Sequence, residues 1–97
     1  MNSPHTPDPS AFKAALREQW DKAAAGWDRH MPQIRDWLAP ATEAMLDLAG
    51  IGPGSRVLDV AAGSGDQTLD IARRIGPGGR VLATDLSPAI LELARRN

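Results

Sequence analysis

Arg56-Val57-Leu58-Asp59-Val60-Ala61-Ala62-Gly63-Ser64-Gly65-Asp66 is the stretch that decides how this chain folds. Val57 to Ala61 is a short apolar run interrupted by one carboxylate, Asp59. Two glycines follow, two positions apart, and then a stripe of helical period at Thr68, Ile71, Ala72 and Ile75. A run that short suits a buried strand, and the glycines supply the turn into a helix. The predicted order is strand, loop, helix.

Working outward towards the carboxyl end, Gly76-Pro77-Gly78-Gly79 ends that helix and Arg80 to Asp85 reads as a second strand. Ser87-Pro88 offers an N-cap and an N1 proline for a further helix through Ile90, Leu91 and Ala94. Two strands joined by a helix imply a parallel, right-handed crossover. The fold class is therefore α/β: residues 51–97 form the first βαβα of a Rossmann-like doubly wound parallel sheet, incomplete as it stands. Two parallel strands leave an edge without a partner. A missing carboxyl-terminal half, or self-association between copies, is expected to supply it.

Towards the amino end the rhythm is helical. Residues 1–9, with Pro4, Pro7 and Pro9, read as a flexible leader, and residues 10–50 as a helical lid segment. Ser10 is the expected cap of a helix through Phe12, Leu16, Trp20 and Ala23 or Ala24, which Gly26 should weaken or end. A second helix from Gln33 to Ala49 should place Ile34, Trp37, Leu38, Ala41, Met45 and Leu48 on one face. Pro40 should kink or restart it, and Gly50 is a suitable residue just past its end.

Bulk properties narrow the function classes. A chain of 97 residues, 42% apolar and 24% charged, is one ordinary globular domain at most. Eleven basic and twelve acidic side chains nearly cancel, so no positive field attracts nucleic acid. With no cysteine there is no disulfide or thiolate metal site, and His5 and His30 are too isolated to suggest another metal site. No apolar run approaches the roughly 20 residues of a membrane span. A soluble, cytoplasmic protein is the expectation.

The candidate site lies where parallel sheets bind ligands, beyond the carboxyl ends of the strands. Gly63 and Gly65 can take positive φ and let a ligand approach the backbone. Asp59 stands in the strand four residues before Gly63, where burial calls for a donor or a cation, unless loop N–H groups satisfy it. Asp85 closes the second strand twenty positions after Gly65, where its carboxylate can accept from both hydroxyls of a ribose. Its alternative role is a solvated strand end or a cap competing with Ser87. A nicotinamide dinucleotide oxidoreductase shows a similar glycine pattern, but Thr68 occupies the third glycine position and Asp59 charges the strand. A non-catalytic module using the same fold as an interaction surface is the third reading.

Arg56 to Asp66 resembles motif I of class I S-adenosylmethionine-dependent methyltransferases, and Arg80-Val81-Leu82-Ala83-Thr84-Asp85-Leu86-Ser87 resembles the second-strand motif that follows it. Trp20-Asp21-Lys22-Ala23-Ala24-Ala25-Gly26-Trp27-Asp28 is similar to the segment preceding the core in the ubiquinone and menaquinone biosynthesis methyltransferases. The resemblance covers Trp20 to Asn97 and implies S-adenosyl-L-methionine as cofactor and a small-molecule methyl acceptor. It implies that Asp59, Gly63 and Gly65 hold the methionine end, Asp85 the ribose and Leu86 the adenine face. Ala61 stands where many members have the first glycine of the loop, as it also does in the quinone-type branch. Trp27 matches a position often aromatic, where a π face suits a sulfonium, although a tryptophan on an amphipathic helix more often covers a core. Trp20 and Trp37 are read as core residues; His30 could act as general base for an acceptor hydroxyl, but an isolated histidine among polar neighbours is more often a surface residue. No catalytic side chain is implied within these residues.

Overall fold

The computed structural model describes residues 8–97. Five elements follow one another: α1 (Pro9–Leu48), β1 (Arg56–Val60), α2 (Asp66–Ile75), β2 (Arg80–Thr84) and α3 (Pro88–Arg96). The strands pair in parallel, Leu58 opposite Leu82 and Val60 opposite Thr84. This is the expected βαβα order of an incomplete Rossmann-like α/β unit. The leader expected at residues 1–9 falls outside the described residues as far as position 7, and Pro9 already belongs to α1.

The two helices expected upstream are one helix of 40 residues. Its cap is Asp8 rather than Ser10: the Ser10 N–H donates to Asp8 Oδ1 at 3.0 Å, and Pro9 takes the first helical position. Gly26, Pro32 and Pro40 all lie inside it. Each proline removes one i→i−4 hydrogen bond, a local cost that packing along the rest of the helix overrides. The end behaves as expected: Gly50 takes φ 69°, its N–H donates to the Asp47 carbonyl, and the Ile51 N–H donates to that of Leu46. That pair of bonds is a Schellman motif, and Ile51 packs back on the core formed around Leu46.

Continuity through Pro40 sets the phase of the buried stripe. Ala24, Thr42 and Leu46 are buried, whereas Met45, Leu48 and Trp37 are exposed, Trp37 to 80%. The expected face over Trp37, Ala41, Met45 and Leu48 is thus corrected by rotation about the helix axis, because the phase is carried over from the amino-terminal half. Leu46 meets Ile71 and Ile75 of α2, with Val57, Val81 and Ile51 packed around them. Ion pairs bind the same two helices together: Arg35 to Asp70 at 2.6 Å, and Arg74 to Glu43 at 2.6 Å and Asp47 at 2.7 Å. The hydrogen bonds that Arg74 donates to Glu43, then to Asp47, push its pKa above its ordinary value, so it stays charged.

Among the described residues, only one face of the sheet is covered. Val57 and Asp59 of β1 face α2, and the alternating residues Leu58, Val60 and Leu82 are 61%, 70% and 64% exposed.

Candidate functional site

The loop after β1 is built by the strands it joins. Ala62 N–H donates to the Thr84 carbonyl at 2.8 Å, and Gly65 N–H turns back to Ala62 at 3.2 Å. Ala61, Gly63 and Gly65 all have positive φ, at 58°, 61° and 92°. At Gly63 a Cβ would meet Trp27 Nε1 at 3.7 Å, and at Gly65 it would crowd the Ala94 Cβ at 3.2 Å. The first glycine keeps the loop backbone open towards α1, and the second lets α3 close on α2.

Asp85 sits just past β2 with both oxygens engaged. Oδ2 accepts from the Gly63 N–H and Oδ1 from the Ser87 N–H, each at 3.0 Å. Ser87, fully buried, caps α3 by accepting from the Ile90 N–H at 3.2 Å. The expected competition between Asp85 and Ser87 for the cap is resolved as a division of labour. Ser87 caps the helix while Asp85 spans the ends of the two strands.

Between this loop and α1 lies a cavity of about 440 Å³. Its loop side is formed by Ala61, Gly63, Asp85 and Leu86, and its helix side by Trp20, Trp27, Met31, Ile34 and Leu38. Trp20 and Trp27 meet edge to face with centroids 5.9 Å apart. Both line the cavity, so Trp20 is a wall residue rather than a core one. Polar groups along the lining include Arg35, Asp70, Gln67 and Thr42, with Gln67 Nε2 donating to Thr42 Oγ1 at 3.4 Å.

Five of the seven expected site residues are therefore brought together: Trp27, Ala61, Gly63, Asp85 and Leu86. Asp59 and Gly65 are not on that wall. Asp59 is buried behind the loop, where its Oδ2 accepts from Thr68 Oγ1 at 2.7 Å. The partner is a side-chain hydroxyl, not a loop N–H or a cation. Gly65 borders a separate groove with Ala83 and Ala94. His30 is exposed and away from the cavity. Among the described residues no cluster of His, Asp and Glu is suited to a metal ion, and no helix is long and apolar enough to cross a membrane.

Sequence reasoning missed four residues that hold the site together. Thr68 anchors Asp59; its hydroxyl in the first turn after the loop, nine positions from a buried acid, was the available signal. Arg35 reaches Asp70, and lies 3.9 Å from Asp66 at the start of α2. Asn97 Nδ2 bridges Asp28 Oδ1 at 3.0 Å and the Ser64 carbonyl at 3.1 Å. Asp21 accepts from Ser87 Oγ across 66 residues of sequence. The last three contacts are long-range, and no local pattern announces them.

Known proteins include several relatives of this chain. An uncharacterized protein of Mycobacterium tuberculosis is 43% identical over 79 residues, covering 74% of this chain and 28% of its own length. The demethylmenaquinone methyltransferase of Symbiobacterium thermophilum is 36% identical over 93 residues, covering 93% of this chain and 36% of its own. The 2-phytyl-1,4-naphtoquinone methyltransferase of a Nostoc species is 37% identical over 86 residues, covering 84% and 36%. The chain thus spans about a third of the length of these relatives. No solved structure matches it. The family model of the ubiE/COQ5 methyltransferases matches residues 31–97, from the middle of α1 through both strands and the loop between them, and the chain belongs to the ubiE/COQ5 methyltransferase family.

Proposed function

We propose that this chain supplies the S-adenosyl-L-methionine site of a methyltransferase that acts on a small, apolar acceptor of quinone type. The observation that carries the reading is the two-sided cavity: a carboxylate and an open backbone on the loop side, aromatic and aliphatic side chains on the helix side. Its volume of about 440 Å³ falls in the range of small-molecule sites, about 300–1,000 Å³.

The residues present fit the cofactor. Asp85 is held from behind by two N–H groups, which leaves lone pairs on both oxygens for the two hydroxyls of a ribose. Leu86, the next residue, offers an apolar surface to a base. Gly63 has no side chain to fill the gap between the loop and Trp27, so the methionine end has room beside the backbone. Trp27 presents its ring to the same space, where a sulfonium is attracted by the π face. Asp59 and Gly65 act from behind the wall, the first by tethering Thr68 in the first turn of α2 and the second by letting α3 close in.

When bound, the cofactor supplies an electrophilic methyl group. The side chains of this chain orient rather than react: Trp20, Met31, Ile34 and Leu38 desolvate an apolar acceptor and hold it beside the loop. The printed names of two relatives, which act on demethylmenaquinone and on a phytyl naphthoquinone, agree with an acceptor that is apolar and aromatic. We place α1 as the covering segment of the site, and the protein in the cytoplasm.

Calorimetric titration with S-adenosylmethionine and S-adenosylhomocysteine tests the cofactor step, with NAD as the control. Binding of the first two and not of NAD is expected, and Asp85→Ala should weaken it at least about tenfold, the size of a lost charge-assisted hydrogen bond. Absence of heat and of amide chemical-shift changes with either methionine ligand would refute the reading.

A further inference from the structure

Asp21 lies outside the cavity lining, yet its carboxylate ends on the segment that aims Asp85. Its Oδ1 accepts from Ser87 Oγ and, at 3.3 Å, from the Ala89 N–H. Ser87 in turn accepts from the Ile90 N–H and donates its own N–H to Asp85 Oδ1. The chain of bonds therefore runs from α1 through Asp21 and Ser87 to Asp85, and on to the Gly63 N–H. Every link has a side-chain oxygen on at least one side.

From this geometry we infer that Asp21 is a positioning residue that couples the seating of α1 to the orientation of the Asp85 carboxylate. The inference rests on the proposed cofactor reading of the same cavity. Three physical points support it. Ser87 is fully buried, so no water replaces Asp21 as the acceptor of its hydroxyl proton. The negative charge of Asp21 lies at the amino end of α3, where free N–H groups and the helix dipole favour it. Asp85 is pinned at both oxygens, so a shift of Ser87 turns the carboxylate rather than merely loosening it.

Coupling of this kind is reciprocal. A ligand that takes its ribose hydroxyls to Asp85 stabilises the Ser87 position and with it the seat of α1. Occupied protein should hold α1 more firmly than empty protein, and loss of Asp21 should abolish that difference.

The test compares wild type, Asp21→Ala and Asp21→Asn, the last of which keeps the accepting oxygen. Binding is measured for S-adenosylhomocysteine and for its 2′,3′-dideoxyribose counterpart, which lacks the hydroxyls Asp85 would hold. Asp21→Ala should weaken S-adenosylhomocysteine about tenfold and leave the dideoxy ligand unchanged, while Asp21→Asn stays close to wild type. In ligand-free protein the amide signals of Ser87 and Gly63 should move in Asp21→Ala, with those of Ile71 and Ile75 unmoved. Equal loss for both ligands, or no loss for either, overturns the coupling. If wild type binds neither ligand, the cofactor reading fails by itself, and the amide signals of Ser87 and Gly63 still decide whether Asp21 acts on the loop.

Discussion

Ala61 adopts φ 58°, a conformation that costs a residue with a Cβ about 1–2 kcal/mol. Glycine there would remove that strain, offset by about 0.4–1 kcal/mol of extra chain entropy in the unfolded state. Ala61→Gly is therefore expected to raise stability, by up to about 1 kcal/mol, whereas Ala62→Gly, at an unstrained position, should lower it by a comparable amount. Urea midpoints of the two variants check the contrast in sign. Asp59 and Thr68 make a second pair of expectations. Thr68→Val strips the buried carboxylate of its donor and should cost about 1–3 kcal/mol, while Thr68→Ser keeps the bond and should cost much less. At this scale the sequence was informative where a residue violated its surroundings. An acid in a strand and glycines past its end were visible as anomalies, and the structure accounts for each. Asp59 was legible as a buried carboxylate in need of a donor, but Thr68 was passed over as its partner despite its spacing, because a threonine at helical period reads first as part of the stripe.

The elements between the strands were equally legible, since period, capping residues and glycine turns all agreed. The helix α2 begins and ends where its stripe predicts, and Ser87-Pro88 starts α3 as read. The long helix was misread for a physical reason. Gly26 and Pro40 are local breakers, and local propensity loses to tertiary packing once a helix is held at several points along its length. Arg35 is one of those points. Arg35→Ala should lower stability by about 1 kcal/mol through loss of its ion pair with Asp70. The difference from wild type should shrink in about 1 M salt, where the screening length is only about 3 Å. Thermal unfolding at two salt concentrations measures both. The turn into β2 is tighter: a Cβ at Gly79 would fall 2.6 Å from Ile75 Cβ and 2.7 Å from the Ser55 carbonyl oxygen. Gly79→Ala should cost about 1–3 kcal/mol, because one contact is backbone and has nowhere to move.

On the scale of the whole molecule, the described residues cover the two-stranded sheet on the side of α2 only. Leu58, Val60 and Leu82 form an apolar strip open to solvent, so charge placed there meets water and not a core. Leu58→Lys and Leu82→Lys should each change stability by no more than about 0.5 kcal/mol. Both should reduce the fluorescence of a hydrophobic dye bound to the folded chain. Ile71→Ala, on the covered side, should cost about 2–5 kcal/mol. The unpaired character of the sheet could be read from the strand count, but which face stays open could not, because Val57, Leu58, Val60, Val81 and Leu82 are alike in hydropathy.

The unbroken helix has a mechanical consequence. It is anchored at Leu46, deep in the core, and reaches the α3 cap at Asp21, about 38 Å away at 1.5 Å per residue. A tilt of about 5° at Leu46 displaces the Asp21 end by about 3 Å on that length, enough to part a hydrogen bond. The contacts of Asp21 with Ser87 and of Asp28 with Asn97 lie far from Leu46, where a small restoring force has the greatest torque, so they and the buried Ala24 oppose such a tilt most effectively.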